Sequence, residues 1–103
     1  MAYENGDLDA TIAAAAGDDP TLRHELRGAF IESAEKQLDL LRRSRCDGNW
    51  NVAAMRLKGL AASFHVEELL AAAQDALDAA PGEPTSLRRI ETVLARFTGG
   101  SVA

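Results

Sequence analysis

Apolar residues recur along this chain at spacings of three and four, the period of a helix, and no strand is predicted. Leu22, Leu26, Phe30, Ala34, Leu38 and Leu41 make one such stripe. Asp19-Pro20 ahead of it supplies an N-cap and a residue suited to the first helical position. Asp47-Gly48-Asn49 behind it is turn chemistry, so this helix should end near Ser44. Upstream, Asp7 is expected to cap a short helix that runs through Ile12 and the alanine run and stops at Gly17. Downstream, a third helix is expected from a cap at Asp47 or Asn49 to about Phe64. Val66, Leu69, Leu70, Ala73, Leu77 and Ala80 mark a fourth, which stops before Pro81-Gly82-Glu83-Pro84. Leu87, Ile90, Leu94 and Phe97 mark a fifth that frays into Gly99-Gly100. Short connections force consecutive long helices to lie antiparallel. The pattern therefore predicts an all-α protein, an up-down antiparallel four-helix bundle with a short additional N-terminal helix. At 103 residues the chain holds one core, so a single domain over 1–103 is expected, with flexible ends at about 1–6 and 99–103.

The third helix carries a conflict. On a wheel advancing ~100° per residue, Trp50, Ala53, Leu57, Leu60, Ala61 and Phe64 share one side, which must be the core. Met55 then points ~170° from the centre of that stripe. Asn51, Lys58, Gly59 and Ala62 accompany it on the outer face, and Met55 and Lys58 are expected to be exposed. A mid-helix glycine costs about 0.5–1 kcal/mol relative to alanine. Packing inside a bundle gives no reason for Gly59, because it lies on the far side from the core. Two readings remain: another molecule approaches the helix closely here, with small Ala62 extending the flat patch, or the glycine is an accident of a solvated face.

Composition narrows the classes. The chain is 47% hydrophobic but only 5% aromatic, with alanine and leucine supplying most of the apolar content, which suits close-packed helices. No apolar run approaches the ~20 residues of a membrane helix, and MAYENGDLDA lacks a basic-then-apolar signal pattern, so no membrane association is expected. Cys46 is the single cysteine and has no internal disulfide partner, which makes the cytoplasm the default compartment. A formal charge of −5 argues against nucleic acid. Arg42-Arg43-Ser44-Arg45 runs against that trend and reads as a solvated helix end favoured by the helix dipole. No Cys/His cluster has metal-ligand spacing, and no cofactor is implied. There is no nucleophile–base pair, phosphate-cradling glycine loop or clustered carboxylate pair, so an enzyme is not expected.

Met55-Arg56-Leu57-Lys58-Gly59 resembles the H-x-L-K-G signature of histidine-containing phosphotransfer (HPt) domains, the relay modules of multistep two-component signalling. The resemblance extends over nearly the whole chain: Asp19 to Leu41 is similar to the family's second helix, Val66 to Ala80 to its fourth, and Leu87 to Phe97 to its last. In that family the signature histidine, exposed at mid-helix, takes a phosphoryl group from one receiver aspartate and gives it to another. The lysine three positions later lies beside that group, and the following glycine leaves room for the receiver. The resemblance implies those positional roles for Lys58 and Gly59, and a receiver-docking set of Asn51, Met55, Arg56, Lys58, Gly59 and Ala62. The partners it implies are a response-regulator receiver domain, a hybrid histidine kinase, or both, bound by a monomer.

The departure is at the phosphoacceptor. Met55 stands where the histidine should be, and a thioether has neither a proton to lose nor a nitrogen lone pair to attack phosphorus. The expected function is thus a pseudo-HPt module that binds receiver or kinase domains without carrying phosphate, with Met55 as a flexible contact. Alternatives stand beside it: an active relay whose natural position 55 is histidine, a phosphotransferase lineage decaying without function, and a structural bundle that self-associates through the same face. His65 falls where the family usually has the glycine that ends the third helix, so a strained or slightly altered helix end is expected there. His24 should reach the same end of the bundle as His65, but two histidines without carboxylate or cysteine support make a weak site. Both read as surface histidines.

Overall fold

A computed structural model describes the backbone of residues 3–98 and the side chains from Leu8 onward. Five helices follow in order: α1 Tyr3–Ala16, α2 Pro20–Arg43, α3 Asp47–Phe64, α4 Glu67–Leu77 and α5 Pro84–Thr98. No strand occurs among the described residues.

The start of α2 follows its local chemistry. Asp19 Oδ1 accepts from the Thr21 and Leu22 amides at 3.0 and 3.2 Å, satisfying two donors that the helix cannot. Its far end closes at Ser44, whose amide bonds the Leu41 carbonyl and whose hydroxyl donates to the Leu40 carbonyl at 2.7 Å. Phe30, Ala34, Leu38 and Leu41 are buried as the stripe requires, Leu26 only half so. Leu22 departs from the expectation: in the first turn it remains 38% exposed.

Other boundaries move for physical reasons. α1 begins at Tyr3, so Asp7 lies inside the helix and does not cap it, and residues 3–6 of the expected flexible end are helical. Burial of Leu8 and Ile12 supplies the tertiary packing that extends a helix past its local start signals. With 14 residues α1 is also longer than α4, which has 11, so the shortest helix is not the N-terminal one. The remaining positions of the expected flexible ends, 1, 2 and 99–103, and with them the expected fraying at Gly99-Gly100, lie outside the described residues. α3 takes Cys46 as N-cap in place of Asp47 or Asn49, and no side chain bonds there. Asp47 instead occupies the first helical position, where its charge suits the positive end of the helix. α4 ends at Leu77, and Ala80 lies exposed beyond it. Pro81 disfavours helical geometry at the residue before it, and the Asp78 amide closes the helix on the Gln74 and Asp75 carbonyls.

α2 and α4 each pack against both α3 and α5, and α1 crosses α2, α3 and α5. Polar contacts report direction. Arg89 pairs with Asp75 and Arg96 with Glu68, so α5 runs opposite to α4. The Trp50 indole near the start of α3 donates at 2.7 Å to the Ala76 carbonyl near the end of α4. Arg27, early in α2, donates at 2.9 Å to the Phe97 carbonyl late in α5. At that end the Phe30 ring meets Phe64 at 5.0 Å and Phe97 at 5.9 Å, joining three helices. Thr11 of α1 donates to the Phe64 carbonyl at 2.9 Å beside them. No helix is long and apolar enough to cross a membrane.

Candidate functional site: the outer face of α3

α3 buries Trp50, Ala53, Ala54, Leu57 and Ala61, while Leu60 and Phe64 are half-buried at the edge of the core. That register turns the opposite face outward. Asn51, Met55, Arg56, Gly59 and Ala62 are all exposed, Met55 by 62%. A Cβ added at Gly59 would meet nothing within 4 Å, so no internal contact requires the glycine. The wheel argument for an unobstructed strip therefore holds in three dimensions. Val52, 48% exposed, joins the same face and was missed by sequence reasoning. Its signal was the spacing Val52, Met55, Gly59, Ala62, a second apolar-and-small stripe at helical period.

Lys58 differs from its expectation. It is half-buried, and its Nζ donates to Gln74 Oε1 of α4 at 2.7 Å. Gln74 in turn donates through Nε2 to Asp78 at 3.3 Å. The ammonium is thus drawn sideways toward α4. Flank positions on a wheel carry long side chains to the neighbouring helix, and this one found a carbonyl oxygen there. Arg56 lies on the opposite flank and lines a hollow toward α2.

The end of α3 bears out the unusual role of His65. Its φ of 59° and ψ of 36° are left-handed, the single non-glycine positive φ among the described residues. The His65 amide bonds the Ala62 carbonyl at 3.3 Å and the Val66 amide bonds the Ala61 carbonyl at 2.9 Å, the paired bonds of a Schellman ending. His24 and His65 are not brought into one site. His24 lines a hollow with Asp9, Arg23 and Arg27, whereas His65 lines another with Ala62, Glu67 and Leu70. Among the described residues no group of three His, Cys, Asp or Glu is placed to hold a metal ion.

The basic run at the end of α2 is largely engaged within the fold. Arg42 grips Glu91 Oε2 of α5 through Nε and Nη2 at 3.0 and 2.8 Å, and Arg43 pairs with Asp39 one turn earlier. Chemically, the outer face of α3 offers a thioether, a bare backbone strip and flanking cations, with no group able to accept a phosphoryl from the Met55 position. No family model, curated protein or solved structure matches the chain, so this geometry carries the functional reading.

Proposed function

We propose that the chain is an HPt-like signalling module that docks receiver or histidine kinase domains without itself carrying phosphate. In this reading it is an up-down antiparallel four-helix bundle with an additional N-terminal helix, acting as a cytoplasmic monomer. The observation that supports it is the Met55–Gly59 strip. A methionine 62% exposed at mid-helix sits one turn from a glycine with open space beyond it, at the spacing of the H-x-L-K-G signature. Neither feature stabilises the isolated fold: the thioether stays in water, and the glycine weakens the helix. Both suit a partner surface that packs closely against α3. Exposed Ala62 lengthens the strip, and Asn51 and Arg56 border it. Lys58 spends one of its three ammonium donors on Gln74 and keeps two for an acidic partner.

The test uses a panel of phosphorylated receiver domains. The chain should bind at least one of them by titration calorimetry, yet acquire no acid-labile phosphoryl label. Met55→His should create acceptor capacity with the receiver that binds. Gly59→Leu should weaken that complex severely, because a branched side chain fills the space the partner needs, and Lys58→Ala should weaken it less. Label that appears on the unaltered chain and is lost in His24→Ala or His65→Ala would overturn the non-catalytic reading. Unchanged affinity for Gly59→Leu would move the partner to another surface.

A further inference from the structure

Where α2 ends and α3 begins, a hollow of about 350 Å³ opens between the two helices. Leu40, Val52 and Ala53 give it apolar lining, and Arg43, Ser44, Asn49 and Arg56 complete it. No carboxylate lines it, although the chain has 16 acidic residues against 11 lysines and arginines. The two arginines come from different helices, Arg43 from α2 and Arg56 from α3, and line the hollow from its two walls.

Arg56 is the informative member. Arg23, Arg27, Arg42, Arg43, Arg89 and Arg96 each meet an aspartate or glutamate of this chain. Arg45, Arg56 and Arg88 have no such partner among the described residues, and of these three Arg56 alone lines the hollow; its neighbours three and four positions away are Val52, Ala53, Gly59 and Leu60. Helical spacing therefore gives it no acid to pair with. Arg43 is held only by Asp39, at 3.0 Å, with both side chains more than half exposed, a weak pair that an entering anion can share or displace. The Asn49 side chain makes no hydrogen bond among the described residues and offers two further donors. Ser44 is different: its hydroxyl already donates to the Leu40 carbonyl, so it contributes shape and not a proton.

We propose that this hollow binds a small oxyanion, phosphate or carboxylate, gripped between Arg56 of α3 and Arg43 of α2. Planar guanidinium forks match both anions in bidentate geometry. The apolar lining keeps water from one side and strengthens the contact. Because the chain as a whole is negatively charged, its long-range field opposes entry, and binding depends on short-range contacts. Met55 and Gly59 do not line the hollow, but Val52 and Arg56 line it and also flank the docking strip, so Arg43→Gln, outside the docking set, is the variant that separates anion binding from receiver docking.

The experiment is amide NMR of the full chain titrated with sodium phosphate, and in a second arm with sodium acetate, each against sodium chloride at matched ionic strength. Shifts should localise to residues 40–44 and 49–56 and saturate with a dissociation constant on the order of 1 mM. Arg56→Gln should weaken binding about tenfold, the loss of one charge-assisted contact. The double variant Arg43→Gln/Arg56→Gln should abolish saturation while the rest of the spectrum reports an intact fold. Saturation by phosphate alone identifies a phosphate site, and saturation by both anions a site that also takes carboxylates. Non-saturating shifts equal to those in chloride, or saturation that persists in the double variant, overturn the proposal.

Discussion

On its inner side α3 presents Trp50, Ala53, Ala54, Leu57 and Ala61, none more than 2% exposed, and the indole of Trp50 is bonded to the backbone of α4. On its outer side the same 18 residues show Val52, Met55, Gly59 and Ala62 to solvent, with empty space above the glycine. The inner residues are set by volume, because each is enclosed by other helices and any change of size is felt. Volume sets nothing on the outer face. What stands there is an apolar side chain in water and a weak helix former, two choices that the fold's own stability does not favour. A helix whose one face obeys packing and whose other face disregards propensity is the pattern expected where a surface serves something outside the chain.

The contrast can be broken at its strongest point first. Trp50→Ala should destabilise the fold by about 3–5 kcal/mol, through lost burial and the cavity left behind. It also leaves the Ala76 carbonyl without its indole donor. Denaturant unfolding measures this, and a loss under 1 kcal/mol, the size of a surface change, would show the inner face to be loosely packed. At the helix end, His65→Gly should raise stability by about 1 kcal/mol, since glycine enters the left-handed region without the penalty of a Cβ. A loss there would mean that the imidazole makes contacts worth more than the strain. On the outer face, Gly59→Ala should raise stability by about 0.5–1 kcal/mol, because the added methyl meets no atom within 4 Å. Destabilisation by that methyl would contradict the open space. Met55→Gln should change stability by less than about 0.5 kcal/mol, as for an exposed position without partners. A thermal scan of that variant decides whether Met55 contributes to the isolated fold at all.

How far the pattern could be read depended on whether local chemistry or distant packing set each feature. The cap at Asp19 and the stop at Gly17 follow from residues within a few positions and were legible, whereas the strained helix end at His65 was legible only through the family resemblance, and its left-handed geometry came from the structure. The start of α1 was not. Its early residues look like a loop, and only the burial of Leu8 and Ile12 against other helices accounts for the longer helix. The end of α4 was misjudged because Ala79 and Ala80 are acceptable helix residues, and the restriction imposed by Pro81 acts backward on them. Met55 and Gly59 came out on the outer face because a wheel places residues well at its two poles. It does poorly at the flanks: Ala54 proved fully buried, and Lys58 proved tied to Gln74. No sequence spacing links residues 58 and 74 when they lie on different helices, so that contact required coordinates.

Only His65 and Val66 separate α3 from α4, the shortest connection among the five helices. This has a consequence for the order in which the molecule assembles. Closing a loop of two residues costs little chain entropy, so these two helices can meet as a hairpin early. α2 and α5, by contrast, meet through residues as far apart as Arg27 and Phe97, 70 positions along the chain. Contacts of such separation carry a larger closure entropy. The Trp50–Ala76 hydrogen bond lies wholly within the early hairpin, 26 positions apart. The expected order therefore places the strip of Met55 and Gly59 on a paired hairpin before the ends of the chain meet, and φ-values higher in α3 and α4 than in α2 and α5 would show it.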